Sequence, residues 1–121
     1  NGLGVHLLLE LNECDEKLLD DVAHVRAAMI KAAKAVDAHV IGESFHQFSP
    51  QGVTGVLAIS ESHLCIHTWP EHGYAAADIF TCGANIEPQK AANVLIEQFA
   101  SKQPSMTEFQ RGIITQQVIS S

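Results

Sequence analysis

This sequence predicts an α+β fold, a two-layer α/β sandwich in which helices cover one face of a mostly antiparallel sheet. Three features carry that reading: one long amphipathic stretch near the N-terminus, a run of short segments from His39 to Thr81 separated by brief connections, and a second helical stretch opened by Pro88. Short connections favour antiparallel neighbours. The order β-α-β-β-β-β-α-β leaves both helices to layer on the same face.

The elements follow in turn. Val5 to Leu11 is an apolar run of strand length, ending near Asn12-Glu13-Cys14. Asp15 can cap a helix in which Leu18, Val22, Val25, Met29, Ala32 and Val36 recur at three- and four-residue steps, forming one apolar stripe. Asp15 and Glu16 at its start and Lys31 and Lys34 near its end complement the helix dipole, so one helix is predicted to about Ala38. Strands follow at His39–Phe48, Val53–Ser60, His63–Trp69 and Tyr74–Thr81. Ser49-Pro50-Gln51-Gly52 and Pro70-Glu71-His72-Gly73 are turn sequences, whereas Glu61 with Ser62 is only a polar pair. Pro88 suits the first turn of a helix that buries Ala92, Leu95, Ile96 and Phe99, and a last strand is expected from about Met106 to Val118.

The chain has 121 residues and a mass of 13.1 kDa, which predicts a single domain over residues 1–121. Fourteen acids against seven Lys plus Arg give a formal charge of −7, so no basic footprint for nucleic acid exists. An acidic field favours a cationic ligand through steering. The three cysteines Cys14, Cys65 and Cys82 form no CxxC pair, which suits a reducing, cytoplasmic setting. No apolar run has membrane-spanning length and no export leader is visible, so neither membrane nor secretion is expected. The first residue is Asn1 and not Met, consistent with a few residues having been trimmed.

Seven histidines are many for this length, and their positions need explaining. In the strand His63–Trp69, Leu64, Ile66 and Thr68 point one way, while His63, Cys65, His67 and Trp69 point the other. The second set is too aromatic and reactive for an ordinary wet face, and the chain is too short for a further helical layer. A second copy packed on that sheet face, giving a homodimer, is the simplest cover.

Around this strand, residues 60–71 gather hydroxyls, imidazoles, a thiol and carboxylates, and three readings compete. His63, Cys65 and His67, with Asp78 or Cys82, could ligate a metal, although the spacing matches no common structural zinc site. Ser62 or Cys82 could serve as nucleophile with His67 as base, but strand parity places Ser62 and His67 on opposite faces. The plainest reading is buried polar residues bonded locally, which weakens for the whole cluster because burying several ionisable groups is costly. Cys14 reads as packing, Phe45 and Phe48 as core or stacking residues, Asp78 as a paired charge or a site residue. His24 and His39 are given no role.

The stretch Glu61-Ser62-His63-Leu64-Cys65-Ile66-His67-Thr68-Trp69-Pro70-Glu71, followed by Gly73-Tyr74-Ala75-Ala76 and Asp78-Ile79-Phe80-Thr81-Cys82-Gly83, resembles the bacterial and archaeal S-adenosylmethionine decarboxylases. The resemblance extends to Leu3-Gly4-Val5-His6-Leu7, Glu13-Cys14-Asp15, Phe45-His46, Ser49-Pro50-Gln51-Gly52-Val53-Thr54-Gly55 and Gln110-Arg111-Gly112-Ile113. It covers nearly the whole chain and outweighs the metal reading, so no metal is expected.

The resemblance implies a self-processing pyruvoyl enzyme. The Ser62 hydroxyl would attack the Glu61 carbonyl, and elimination and hydrolysis would leave one chain ending at Glu61 and another beginning with a pyruvoyl group at position 62. That ketone forms a Schiff base with the substrate amine and acts as the electron sink for decarboxylation. By the same resemblance, His67 is the processing base, Cys82 the proton donor to the substrate carbon, Glu71 the acid that holds the ribose hydroxyls, and Phe48 the aromatic that stacks on adenine, with Trp69 beside them in the substrate site. Thr54 stands where the family commonly has a processing serine, and Cys65 replaces a usual serine or threonine. The short enzymes of this family resemble half of the longer eukaryotic ones, which implies sites shared across a dimer: Ser62 and Cys82 from one subunit, Thr54, His67, Glu71 and Phe48 from the other. The expected product is the aminopropyl donor for spermidine synthesis. Two alternatives remain: a pyruvoyl-dependent arginine or ornithine decarboxylase, and an unprocessed, non-catalytic homologue acting as a dimer partner.

Overall fold

The computed structural model describes residues 3–60, 62–82 and 86–112. Six strands, β1 (Gly4–Asn12), β2 (Val40–Gln47), β3 (Val53–Ile59), β4 (Ser62–Trp69), β5 (Tyr74–Cys82) and β6 (Gln103–Arg111), form one sheet in the order β2-β3-β4-β5-β1-β6. Every neighbouring pair in it is antiparallel. Three helices, α1 (Glu16–Leu19), α2 (Val22–Ala35) and α3 (Pro88–Gln98), accompany the sheet. α2 packs on β2 and β3, α3 packs on β1 and β5, and the two helices meet each other.

The two-layer prediction therefore describes the molecule, and the alternation within strands explains why. In β3, Val53, Leu57 and Ile59 are buried while Val56 is exposed; in β4, Leu64, Ile66 and Thr68 are buried while His63, His67 and Trp69 are exposed. These inward residues meet Val25, Ala28, Met29, Ala32 and Ala33 of α2 and Ala92 and Leu95 of α3 in one core. Phe45, left open as core or stacking residue, packs against that core. A Cβ on Gly55 would come within 2.3 Å of its ring, so only glycine lets the ring lie across β3.

The predicted long helix is two. Asp15 caps α1 as expected, accepting from Lys17 N and Leu18 N, but the chain breaks at Asp20, and Asp21 caps α2 by accepting from Ala23 N and His24 N. The apolar stripe continues across the break, so periodicity alone could not reveal it. A carboxylate that binds a backbone N–H at an N-cap competes with an unbroken helical turn. α2 ends at Ala35, where Val36 caps the helix and Asp37 enters the left-handed region at φ 56°. That is three residues short of the predicted end.

Ser62, expected in a turn, is instead the first residue of β4 and pairs with Ile59, so β3 and β4 are joined by a two-residue connection. Glu61 lies outside the described residues. The last strand starts earlier than predicted, at Gln103, and the predicted portion from residue 113 to Val118 also lies outside them. His24, given no role from sequence, ties α2 to α3: its Nε2 lies 2.8 Å from Gln98 O and its ring meets Phe99 edge-on.

Candidate active site

The sheet face opposite the helices carries Thr54, Val56 and Ala58 of β3, His63, Cys65 and His67 of β4, and Ala76, Asp78 and Phe80 of β5, in cross-strand register. Leu8 and Glu10 of β1 and Thr107 and Phe109 of β6 extend it. Large side chains stand open on it, with Trp69 at 40% and Phe109 at 50% exposure. Such a surface is unusual for a lone domain and suits a partner.

At one corner of this face lies a cleft of about 400 Å³, lined by Phe48, Gln51, Gly52, Thr54, His67, Thr68, Trp69 and Glu71. Three local structures build it. The hairpin of β3 and β4 places Thr54 directly opposite His67, with Thr54 Oγ1 2.9 Å from His67 Nδ1. The sequence Pro70-Glu71-His72 forms a short 3-10 turn closed by Gly73, which presents Glu71 at the rim. The connection after β2 brings in Phe48, which is 47% exposed and edge-on to His46.

Trp69 stacks on Tyr74 across the β4–β5 pair at 5.4 Å between ring centroids, and the Tyr74 hydroxyl donates to Glu10 of β1. Burial, and then the Glu10 carboxylate, push the Tyr74 phenol up to about 12. It therefore stays a neutral donor throughout the physiological range and holds the wall against which Trp69 rests.

Five of the eight residues proposed from sequence thus converge in one cleft: Phe48, Thr54, His67, Trp69 and Glu71. Ser62 and Cys82 do not join them. Ser62 is five residues from His67 on one strand, about 16 Å at the usual rise of ~3.3 Å per residue. Its register partner is the core residue Ile59, so it faces the helices, as strand parity required. Its Oγ is buried and has no hydrogen-bond partner among the described residues. Cys82 lies at the far end of β5, opposite Gly4 of β1.

Near Cys82, Phe80 is stacked on His63 and met edge-on by His6, with the Arg111 guanidinium 5.8 Å over its ring. Cys65 and Asp78 face each other between the two ends, and burial, followed by Asp78, raises the Cys65 thiol. A low-pKa thiolate at Cys65 is thus disfavoured. Among the described residues, no group of three or more His, Cys, Asp and Glu side chains is arranged to hold a metal.

The S-adenosylmethionine decarboxylase family model matches residues 5–112. The chain belongs to that family. It is 50% identical over 114 residues to the S-adenosylmethionine decarboxylase proenzyme of Thermodesulfovibrio yellowstonii, covering 94% of this chain and 84% of the relative. It is 49% identical to the proenzyme so named from Clostridium tetani, covering 98% of this chain and 94% of that one. The crystal structure of the Aquifex aeolicus adenosylmethionine decarboxylase superposes with a TM-score of 0.89 at 33% identity, with 99% of each chain covered. A Trypanosoma brucei structure shares the fold alone, at a TM-score of 0.64 and 19% identity, with 84% of this chain matching 44% of that longer one.

Sequence reasoning passed over Gln51, Gly52 and Thr68 as cleft residues. The Pro50-Gln51-Gly52 turn was a visible signal for the first two. Thr68 carried none, because its inward direction marked it only as core.

Proposed function

We propose that this chain is a self-processing decarboxylase that converts S-adenosylmethionine to its decarboxylated form, the aminopropyl donor for spermidine synthesis, as a homodimer with shared sites. The observation that carries the reading is the cleft that gathers Phe48, Thr54, His67, Trp69 and Glu71. Aromatic rings beside a carboxylate suit a nucleoside: Phe48 and Trp69 offer faces to adenine, and Glu71 can accept from ribose hydroxyls. The chain's acidic balance suits a substrate with sulfonium and ammonium charges. No helix among the described residues is long and apolar enough to cross a membrane. The free thiols of Cys14, Cys65 and Cys82 fit a cytoplasmic enzyme.

Ser62 fits the precursor of a pyruvoyl group, since its buried hydroxyl is committed to no partner among the described residues. In processing, Ser62 Oγ bonds to the Glu61 carbonyl carbon as the Glu61–Ser62 C–N bond breaks, giving an ester. A base then takes the Cα proton of residue 62, and the Cβ–O bond breaks with its electrons leaving on the Glu61 carboxylate. Water replaces the nitrogen, ammonia departs, and a ketone remains at position 62. That ketone supplies the electron sink for loss of CO2.

The remaining work falls to side chains. His67, acting as the base through Nε2, must hold its own proton on Nδ1. In that tautomer the Nδ1–H donates to Thr54 Oγ1, 2.9 Å away, so Thr54 supplies the acceptor that the working form of His67 needs. Cys82 returns a proton to the substrate carbon. Because Ser62 and Cys82 lie apart from the cleft, the pocket of one subunit serves the strand end of its partner that carries Ser62 and Cys82, where the sheet runs out and Ser62 is reached around the edge.

Thr54→Val keeps the side-chain shape but removes the acceptor, and should slow self-cleavage about 10-fold, whereas Thr54→Ser should cleave at close to the parent rate. Denatured intact mass against time measures this; equal rates for the two variants would remove Thr54 from the mechanism. The activity itself is tested with carboxyl-labelled S-adenosylmethionine, arginine and ornithine. Label should be released from the first. Release from arginine or ornithine alone would replace the substrate, and an uncleaved chain inert to all three would favour a non-catalytic dimer partner.

A further inference from the structure

The break between α1 and α2, which the apolar periodicity does not call for, has a counterpart at the cleft. Asp20 sits in that break, and its Oδ1 accepts from Gly52 N at 2.8 Å and from Gln47 Nε2 at 2.9 Å. Gln47 Nε2 also donates to Gly52 O at 3.1 Å, and Phe48 N donates to the same carbonyl at 2.8 Å. One residue earlier, Leu19 O accepts from Thr68 Oγ1 at 2.8 Å, and Thr68 Oγ1 accepts from Val53 N at 2.9 Å. The segment Phe48–Val53 is therefore held at both its ends by the helix break, and it contributes Phe48, Gln51 and Gly52 to the cleft lining.

Gly52 is suited to this and little else is. Its φ is +107°, and a Cβ there would stand 3.2 Å from Thr68 O. Its N–H is aimed at Asp20 because the backbone adopts a conformation that residues with side chains avoid. Without an acceptor that N–H would be a buried orphan, and the loop would have reason to rearrange.

We propose that Asp20 is a positioning residue for substrate binding: its carboxylate clamps the connection after β2 so that Phe48 is presented to the adenine ring. The proposal rests on the nucleoside reading of the cleft. It assigns a reason to the helix break, since an unbroken α-helix through Asp20 would not present its side chain at that point to the strand connection. Both donors converge on a single oxygen, so an amide carbonyl in its place could accept the same two bonds.

The test compares Asp20→Ala with Asp20→Asn in the full chain by two readouts. Hydrogen exchange at the Gly52 amide reads the clamp without any substrate. It should quicken at least ~10-fold in Asp20→Ala and stay within about threefold of the parent in Asp20→Asn. Steady-state kinetics with S-adenosylmethionine should show KM raised ~10-fold with kcat within about threefold in Asp20→Ala, and near-parent values in Asp20→Asn. Gln47→Ala, which removes one donor, should shift both readouts the same way by less, and serves if Asp20→Ala cannot be purified. Unchanged exchange at Gly52 overturns the clamp, as does an Asp20→Asn variant as impaired as Asp20→Ala. Lost protection with an unchanged KM overturns the role in binding. A parent enzyme that fails to turn over S-adenosylmethionine removes the nucleoside reading and with it the binding role, while the exchange result still decides whether the clamp exists.

Discussion

On the proposed mechanism, Ser62→Ala should remain one uncut chain indefinitely and lose decarboxylase activity by a factor on the order of 10⁴ or more, since it would remove both the processing nucleophile and the precursor of the electron sink. The stability change should run the other way. Ser62 Oγ is buried without a partner among the described residues. A hydroxyl in that position carries a desolvation cost with no compensating bond, so its removal should be neutral or stabilising by up to about 1 kcal/mol. Intact mass under denaturing conditions reads the first outcome and thermal melting of the uncut chain the second. The contrast separates a reactive residue from a structural one: losing a hydroxyl that held the β3–β4 hairpin together would lower the melting temperature. A cut that persists in Ser62→Ala would move the processing site elsewhere.

The conflict at Ser62 was legible from sequence only in part. Alternation in the strand was enough to send Leu64, Ile66 and Thr68 inward and His63, His67 and Trp69 outward, because a period of two leaves no freedom once one face is buried. The same alternation set Ser62 against His67. What the pattern could not carry was distance. The cleft depends on the connection after β2 and on the 3-10 turn at Pro70, and neither has periodicity to read. The helix break at Asp20 was hidden for a related reason. Asp20 there bonds to Gly52 and Gln47, both distant in sequence, while the local apolar stripe ran on undisturbed. Tyr74 and Glu10 escaped likewise: one looks like a strand aromatic and the other like a surface acid until the β1–β5 register brings them together beneath Trp69.

Two inactive variants should restore activity to each other when mixed. On the proposed roles, Cys82→Ala should disable the end of the sheet that holds Ser62, and Phe48→Ala with Glu71→Ala should disable the cleft, so each pure variant should lose most of its turnover. If each site is assembled from the cleft of one subunit and the Ser62 end of the other, a heterodimer holds one site with both defects and one with neither. Random exchange of equal amounts makes about half the dimers mixed, so activity should return to about a quarter of the parent value. The geometry gives the reason to expect this: about 16 Å of β4 separates Ser62 from His67 within one chain, at ~3.3 Å per residue, and the two side chains face opposite sides of the sheet. A site completed within one subunit would give no recovery at any mixing ratio, because every subunit would still carry its own defect. Recovery that tracks subunit exchange, and is abolished by crosslinking each variant as a homodimer beforehand, would place the two halves of the chemistry on different chains.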